Sequence, residues 1–334
     1  MSISTDLLSE TTERIPECDV FSDVLKTMHI SGNTLLNENY VSPWAITIPD
    51  TNRIGAILNL TPNTRVVVFH LVKRGCIEII LPQEQTVIVE AGGLAICFGG
   101  GEHQVGQGSG VRPLEVEKLL FGGNNPFQPQ EQTLRSTALV CGVFLMHHFK
   151  LNPLLEALPP FLHVSTRHFN GLHNLSVIAE LMAQEMDRKL AGSDYVVDRL
   201  LELTCAEAIR FYIESLPPQS TGWLTGLRDP VISRALAMIH AQPGQNWTVT
   251  NLAKAVMMSP SRFAARFGSV IGESPMAYVT TWRMNVAARL LASTQQDINA
   301  IATQVGYASL PAFNRAFKRH LGFPPATWRS LHYS

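Results

Sequence analysis

Between Tyr40 and Leu145 the chain runs in short apolar stretches, VVVFHLV, CIEIIL, TVIVEA, LAICF and STALVCGVF, separated by glycine, proline and asparagine clusters. Strands at such short spacing predict a β-sandwich or small barrel. Beyond Leu151 the period changes. Leu172, Leu175, Ile178, Ala179, Met182 and Met186 recur at helical spacing, as do Val197, Leu200, Leu201, Thr204, Ala208, Phe211 and Tyr212. Two amphipathic helices are predicted there. The run Pro217-Pro218-Gln219-Ser220-Thr221-Gly222 interrupts them and marks a linker.

From Asp229 onward every predicted element is helical. Thr248 caps a helix over 249–256, Ser259-Pro260 opens the next, Ser274-Pro275 opens a long one to about 292, and Asp297 opens another. Gly272, Gly306 and Gly322 stand where these helices should end in the left-handed conformation. The fold class is therefore α+β. The expected organisation is an arm over 1–39, a sheet domain over 40–150, a helical segment over 151–216, a linker over 217–228 and an all-helical domain over 229–334.

A length of 334 residues suits two domains with separate cores. With 46% hydrophobic and 16% charged residues the chain is too apolar for a disordered protein. No apolar run reaches the roughly 18 residues of a membrane span, and the opening MSISTDLLSETTERIPE is acidic where a signal peptide would be basic and then apolar. A cytoplasmic protein is expected. Cys18, Cys76, Cys97, Cys141 and Cys205 are odd in number and form no CxxC pair, so neither a disulfide framework nor a zinc knuckle is predicted.

Charge changes the picture when the chain is divided at Asp229. The segment 229–334 holds ten basic residues against three acidic ones, a net of +7, and leaves the remainder at −8. Such asymmetry suits a nucleic-acid-binding module attached to one that avoids nucleic acid.

The basic segment is also an internal repeat. FAARFGSVIGESPMAY, from Phe263 to Tyr278, returns as FNRAFKRHLGFPPATW, from Phe313 to Trp328, at a constant offset of 50. Upstream, Leu252, Ala253 and Val256 return as Ile301, Ala302 and Val305 at an offset of 49, so the second copy gains one residue in its turn. Two copies of one helix-turn-helix unit would show that slip. At about 100° per residue, Phe263 and Phe267 face inward in the first copy and Phe313 and Phe317 in the second. The outward candidates for DNA contact are Ser261, Arg262, Ala265 and Arg266, then Ser309, Ala312, Arg315, Lys318 and Arg319. Arg315 is the best base reader, because arginine pairs bidentately with guanine, and Lys318 suits phosphate. For Arg266, on the flank, a structural or phosphate role weighs as much as base reading.

In the sheet half the candidate effector-binding residues are His70, Cys76, Cys97 and His103. No metal, cofactor or catalytic residue is predicted, because the position two beyond His70 on the same strand is Val72, which cannot ligate. His70 is read as a buried histidine and His103 as part of a surface turn after Gly99-Gly100-Gly101. The cysteines are read as small buried hydrophobes, with redox sensing as the weaker alternative.

The stretch SPSRFAARFGSVIGESPMAYVTTWRMNVAARLLAS followed by INAIATQVGYASLPAFNRAFKRHLGFPPATWR resembles the AraC/XylS family of bacterial transcription regulators. The resemblance implies a seven-helical DNA-binding domain whose two recognition helices enter successive major grooves, roughly 10 bp apart. Gly268 stands where relatives carry a basic residue, and Ala264 or Ala265 where an arginine or glutamine commonly reads bases, so base specificity does not carry over to the first unit. FHLVKRG from Phe69 to Gly75, EAGGL from Glu90 to Leu94, and Glu102-His103 resemble the cupin-type sensor domains of the same family, with the cupin metal triad incomplete.

The resemblance implies a transcription regulator, an activator like most relatives, acting on promoter DNA with RNA polymerase. It would answer to a small-molecule or redox signal and dimerise through residues 170–215. A cupin enzyme fused to a DNA-binding domain, and a regulator controlled by a protein partner, are the alternatives.

Overall fold

The structure, a computed structural model, describes residues 19–28, 30–60, 64–82, 85–128, 136–147, 152–165, 173–188 and 190–333. Cys18, Leu151 and Leu172 lie outside them. The front half opens with α1 (Val20–Met28), β1 (Ile30–Val41), β2 (Trp44–Ile48) and α2 (Thr51–Ile57). β3 (Thr64–Arg74), β4 (Cys76–Ile80), β5 (Thr86–Glu90), β6 (Gly93–Cys97), β7 (His103–Gln107) and β8 (Leu114–Glu115) follow. After α3 (Val116–Leu120) come β9 (Ser136–His147), α4 (Pro153–Ala157), β10 (Leu162–Ser165), α5 (His173–Arg188) and α6 (Ser193–Ser215). β1 thus begins inside the stretch that the sequence assigns to an arm.

The described strands form two five-stranded sheets, ordered β1-β9-β3-β6-β10 and β5-β4-β7-β2-β8, rather than one closed barrel. All pairings are antiparallel except β2 with β8. The first sheet is buried on both faces, which explains why β3 and β9 read as nearly unbroken apolar runs. One face, with Val66, Val68, Cys141 and Val143, packs against Ile46, Ile77, Ile79 and Val105 of the second sheet. The other, with Val67, Phe69, Val140 and Phe144, lies under α1, α4 and α6 through Val24, Leu154 and Leu201. The second sheet keeps one face in solvent, and its edge strand β5 alternates accordingly, with Val89 buried and Ile88 exposed.

The back half continues with α7 (Trp223–Arg228), α8 (Pro230–Ala241), α9 (Val249–Ala255), α10 (Pro260–Ile271) and α11 (Pro275–Ser293). α12 (Ile298–Gln304), α13 (Leu310–Leu321) and α14 (Pro325–His332) complete it. α7 falls within the expected linker. It forms because Trp223 is large and apolar enough to bury against the helical domain, where its indole N–H donates to the Tyr278 hydroxyl at 2.9 Å.

The predicted caps are in place for three helices. Thr248 and Asn251 make a reciprocal capping box on α9, Ser274 accepts from the Ala277 amide, and Asp297 from the Asn299 and Ala300 amides. Ser259 precedes α10 without a side-chain cap bond, so Pro260 at the first helical position supplies that start signal. Gly272, Gly306 and Gly322 adopt φ of 94°, 85° and 84°, the left-handed region in which a Cβ is disfavoured.

Candidate nucleic-acid interface

The repeat in sequence becomes a repeat in packing. In the first unit the Phe263 and Phe267 rings lie 5.7 Å apart and Phe267 meets Tyr278 of α11 edge-on at 5.8 Å. In the second, Phe313 and Phe317 lie 5.6 Å apart and Phe317 meets Trp328 of α14 at 6.0 Å. All four phenylalanines are fully buried. Each buried aromatic ring contributes roughly 2–3 kcal/mol and permits one rotation of its helix only. The outward faces of α10 and α13 are fixed by that choice.

On α10 the outward side chains are Ser261, Arg262 and Ala265, all exposed. On α13 they are Arg315, Lys318 and Arg319, with Ser309 exposed just before the helix and Ala312 half-buried on its flank. One exposed residue of α13 escapes the helical-angle reading. Asn314 sits beside Arg315 and one turn before Lys318, and asparagine is the side chain that pairs bidentately with adenine. The signal was available: position 314 lies about 100° from the buried Phe313.

Arg266 has a different job. Its Nε and one terminal nitrogen donate to the Asp229 carboxylate at 3.0 and 2.8 Å, while the other oxygen of that carboxylate caps α8 through the Val231 and Ile232 amides. This clasp ties α10 to the start of the domain and engages the guanidinium that the sequence offered to DNA.

Other cations of the +7 segment are also used inside. Arg283 donates to the Pro243 and Gln245 carbonyls, both at 2.8 Å, and Arg329 to the Gln296 carbonyl. Arg289 is half-buried, and burial lowers its pKa. The exposed positive charge is left to Arg234, Lys254, Arg262, Arg315, Lys318 and Arg319, the last three on one helix. A concentration of cations on a single outward helix face suits a polyanion.

Residues 19–214 match a family described as cupin, and residues 252–330 match a family described as helix-turn-helix domain. A Streptomyces lividans protein named as an AraC-like transcription regulator is 38% identical over 53% of this chain and 58% of its own length. The chain belongs to the family described as cupin, whose match covers more than half of it, and the helix-turn-helix segment resembles proteins named as AraC-like regulators. The HTH-type transcriptional regulator AlkR of Acinetobacter baylyi is 39% identical, over the same 53% of this chain and 58% of its own length. The chain thus spans little more than half the length of these relatives. The solved carboxy-terminal domain of AraT, a response regulator from Geobacillus stearothermophilus, is 31% identical over 32% of this chain and 88% of that one, with a TM-score of 0.31. No described helix is long and apolar enough to cross a membrane.

In the cupin domain of this chain, three of the four candidate effector residues come together and one does not. His70 of β3 and His103 of β7 face each other between the sheets, Nε2 to Nε2 at 2.8 Å, with the Cys97 sulfur 3.7 Å from His103 Nε2. Cys141, expected from sequence to be a small buried hydrophobe, lies directly opposite His70 in the β3–β9 register and places its sulfur 3.0 Å from His70 Nδ1. Cys76 stands elsewhere, bonded by the Gln107 amide.

His103 is not on a surface turn. Only 3% of it is exposed, because β7 starts at that residue and turns it inward, leaving the glycines before it outside. Burial sets the charge states in this cluster. It holds both imidazoles below the usual histidine range, His70 further depressed by His103, and pushes the Cys97 thiol up to about 12 and Cys141 higher still. Without a bound cation these are neutral rings and protonated thiols, the opposite of the low-pKa thiolate that redox sensing prefers.

Proposed function

We propose that this chain is a sequence-specific DNA-binding transcription regulator that activates its promoters. α10 and α13 would read successive major grooves of promoter DNA, and α11 would hold them at a fixed separation. The observation that carries this reading is the paired aromatic packing, which turns two equivalent helices outward and gives one of them Arg315, Lys318 and Arg319. Arg315 and Asn314 suit base edges, Lys318 and Arg319 suit phosphates, and the small Ala265 lets α10 sit deep.

The cupin domain then serves as a sensor without catalysis of its own, answering to a small molecule, and RNA polymerase is the partner recruited at the promoter. A ligand would act by binding one arrangement of the two domains better than another. Residues 170–215 supply the homodimer contact. Val177 and Leu181 on α5 and Tyr195, Val196 and Leu203 on α6 are all exposed apolar side chains, and that concentration supports the assignment.

The test is retention of genomic DNA fragments by the purified protein at two salt concentrations. Recurrent fragments upstream of a few operons support the reading. Retention without sequence preference leaves the basic domain a phosphate binder and overturns it.

A further inference from the structure

The core between the two sheets holds one knot of histidine and cysteine side chains: His70, Cys97, His103 and Cys141, each no more than 5% exposed. Spacing along one strand does not reveal it, because the donors come from different strands and from both sheets. Cys97 ends β6, His103 begins β7 and His70 lies mid-way along β3. One donor atom from each of these three residues falls within 4.8 Å of the others. We propose that His70, Cys97 and His103 are the ligands of a transition-metal site, two imidazole nitrogens and one thiolate, taking a borderline-soft ion of the zinc(II) class.

Ligand chemistry selects the ion. The three donors are nitrogen and sulfur with no carboxylate among them, which disfavours magnesium and calcium and suits zinc or cobalt. The geometry is close to that of a filled site. Bond lengths of about 2.0 Å to nitrogen and 2.3 Å to sulfur imply tetrahedral edges of about 3.3 Å between nitrogens and 3.6 Å between nitrogen and sulfur. The 3.7 Å spacing of Cys97 and His103 matches the second. The 2.8 Å spacing of the two imidazoles is half an ångström short of the first, the length of a hydrogen bond that a metal would replace.

The outer contacts orient the donors. His103 Nδ1 donates to the Gly101 carbonyl at 3.2 Å, which leaves its Nε2 lone pair aimed at the site. His70 Nδ1 has Cys141 behind it in the same supporting position. In the empty protein, the Cys141 thiol donates to His70 Nδ1, and His70 Nε2–H donates to His103 Nε2. On binding, the Cys97 thiol loses its proton to solvent, the His70 proton passes from Nε2 to Nδ1, and the Cys141 sulfur accepts from it. One proton is released for each divalent ion bound. The largely exposed turn Gly99-Gly100-Gly101-Glu102 joins the two ligand-bearing strand ends.

Full-length protein stripped with a chelator and titrated with cobalt(II) should take up one equivalent per chain. It should develop the visible bands of four-coordinate cobalt and a near-ultraviolet thiolate-to-cobalt band. Zinc(II) should displace the cobalt, and X-ray absorption at the zinc edge should show one sulfur at about 2.3 Å beside nitrogen neighbours. Cys97→Ser should abolish the thiolate band, and His103→Gln should weaken binding at least tenfold. Cys141→Ser should keep one equivalent with affinity lowered about 10- to 100-fold, as expected for a group behind a ligand. Circular dichroism confirms the fold of each variant, and the zinc-edge spectrum of the parent decides the matter even if a variant does not fold. Folded parent protein that binds no cobalt or zinc, a bound zinc with no sulfur neighbour, or stoichiometric binding unchanged in both Cys97→Ser and His103→Gln would overturn the proposal.

Discussion

Lys318→Ala and Arg266→Ala remove one positive charge each from helices that occupy equivalent places in the repeat, yet they should act on different properties. Lys318 is exposed on the outward face of α13, whereas Arg266 is engaged by Asp229. In the proposed complex three outward cations on the two recognition helices, Arg262, Lys318 and Arg319, would meet phosphates, with Arg315 at a base edge. At about 0.9 released counterions per phosphate contact, a fourfold rise in salt weakens binding about 3.5-fold per contact, or about 40-fold for three.

Lys318→Ala should therefore reduce that loss to about 12-fold, a drop of about 0.9 in the slope of log K against log salt. Arg266→Ala should leave the slope as it is. It breaks a partly exposed clasp, with 41% of the arginine side chain in solvent, so it should lower the stability of the helical domain by only about 1 kcal/mol. Fluorescence anisotropy of a labelled duplex from a retained fragment, at four salt concentrations, gives the slopes, and urea melts give the stabilities. A slope that falls with Arg266→Ala and holds with Lys318→Ala would refute the assignment of the two charges.

Further outcomes follow from the same geometry. Arg315→Ala should cost about 1–3 kcal/mol on the selected sequence and relax preference at one base position, read by repeating the fragment selection with the variant. Gly322→Ala should destabilise the domain by about 1 kcal/mol in urea melts, since a Cβ there would meet nothing within 4 Å and only the φ of 84° opposes it. His240 is buried against Trp282 and Arg289, and burial pushes its pKa down to about 3. The unfolded chain takes up a proton near pH 6.5 that the fold refuses, so stability is full above that pH. It should fall by up to about 1.4 kcal/mol per unit as pH drops towards 3, a slope in urea melts that His240→Phe should flatten. The double variant Leu181→Asp/Leu203→Asp should sediment as a monomer where the parent sediments as a dimer.

The helical domain was legible because its information is local and written twice. Capping residues, helix-ending glycines and the Phe263/Phe313 offset each act over a few residues, and the buried rings do face inward as their spacing requires. Sequence left the structural and DNA roles of Arg266 equally weighted because its partner, Asp229, lies 37 residues away and is joined to it only by packing. α7 was hidden in a stretch rich in turn residues, since burial of Trp223 against Tyr278, 55 residues on, overrides local preference.

In the front half five of the ten described strands, β3, β4, β5, β6 and β9, were visible as apolar runs, and the arrangement of the sheets was not. The two sheets, and the placing of His70 opposite Cys141 in one and near His103 of the other, follow from strand order and register, which pair residues 71 and 33 positions apart. Same-strand spacing carries no trace of such a meeting. His103 shows the cost most clearly: three glycines before it suggest an exposed turn, yet the strand starts at that residue and buries it.

The central claim is that two outward helices read DNA together. Hydroxyl-radical footprinting of the protein on a retained fragment tests it most directly. Two protected patches about one helical turn apart on one face of the duplex, with the patch at one end lost on Arg315→Ala, are the predicted result. A single protected patch that persists in that variant would contradict the account.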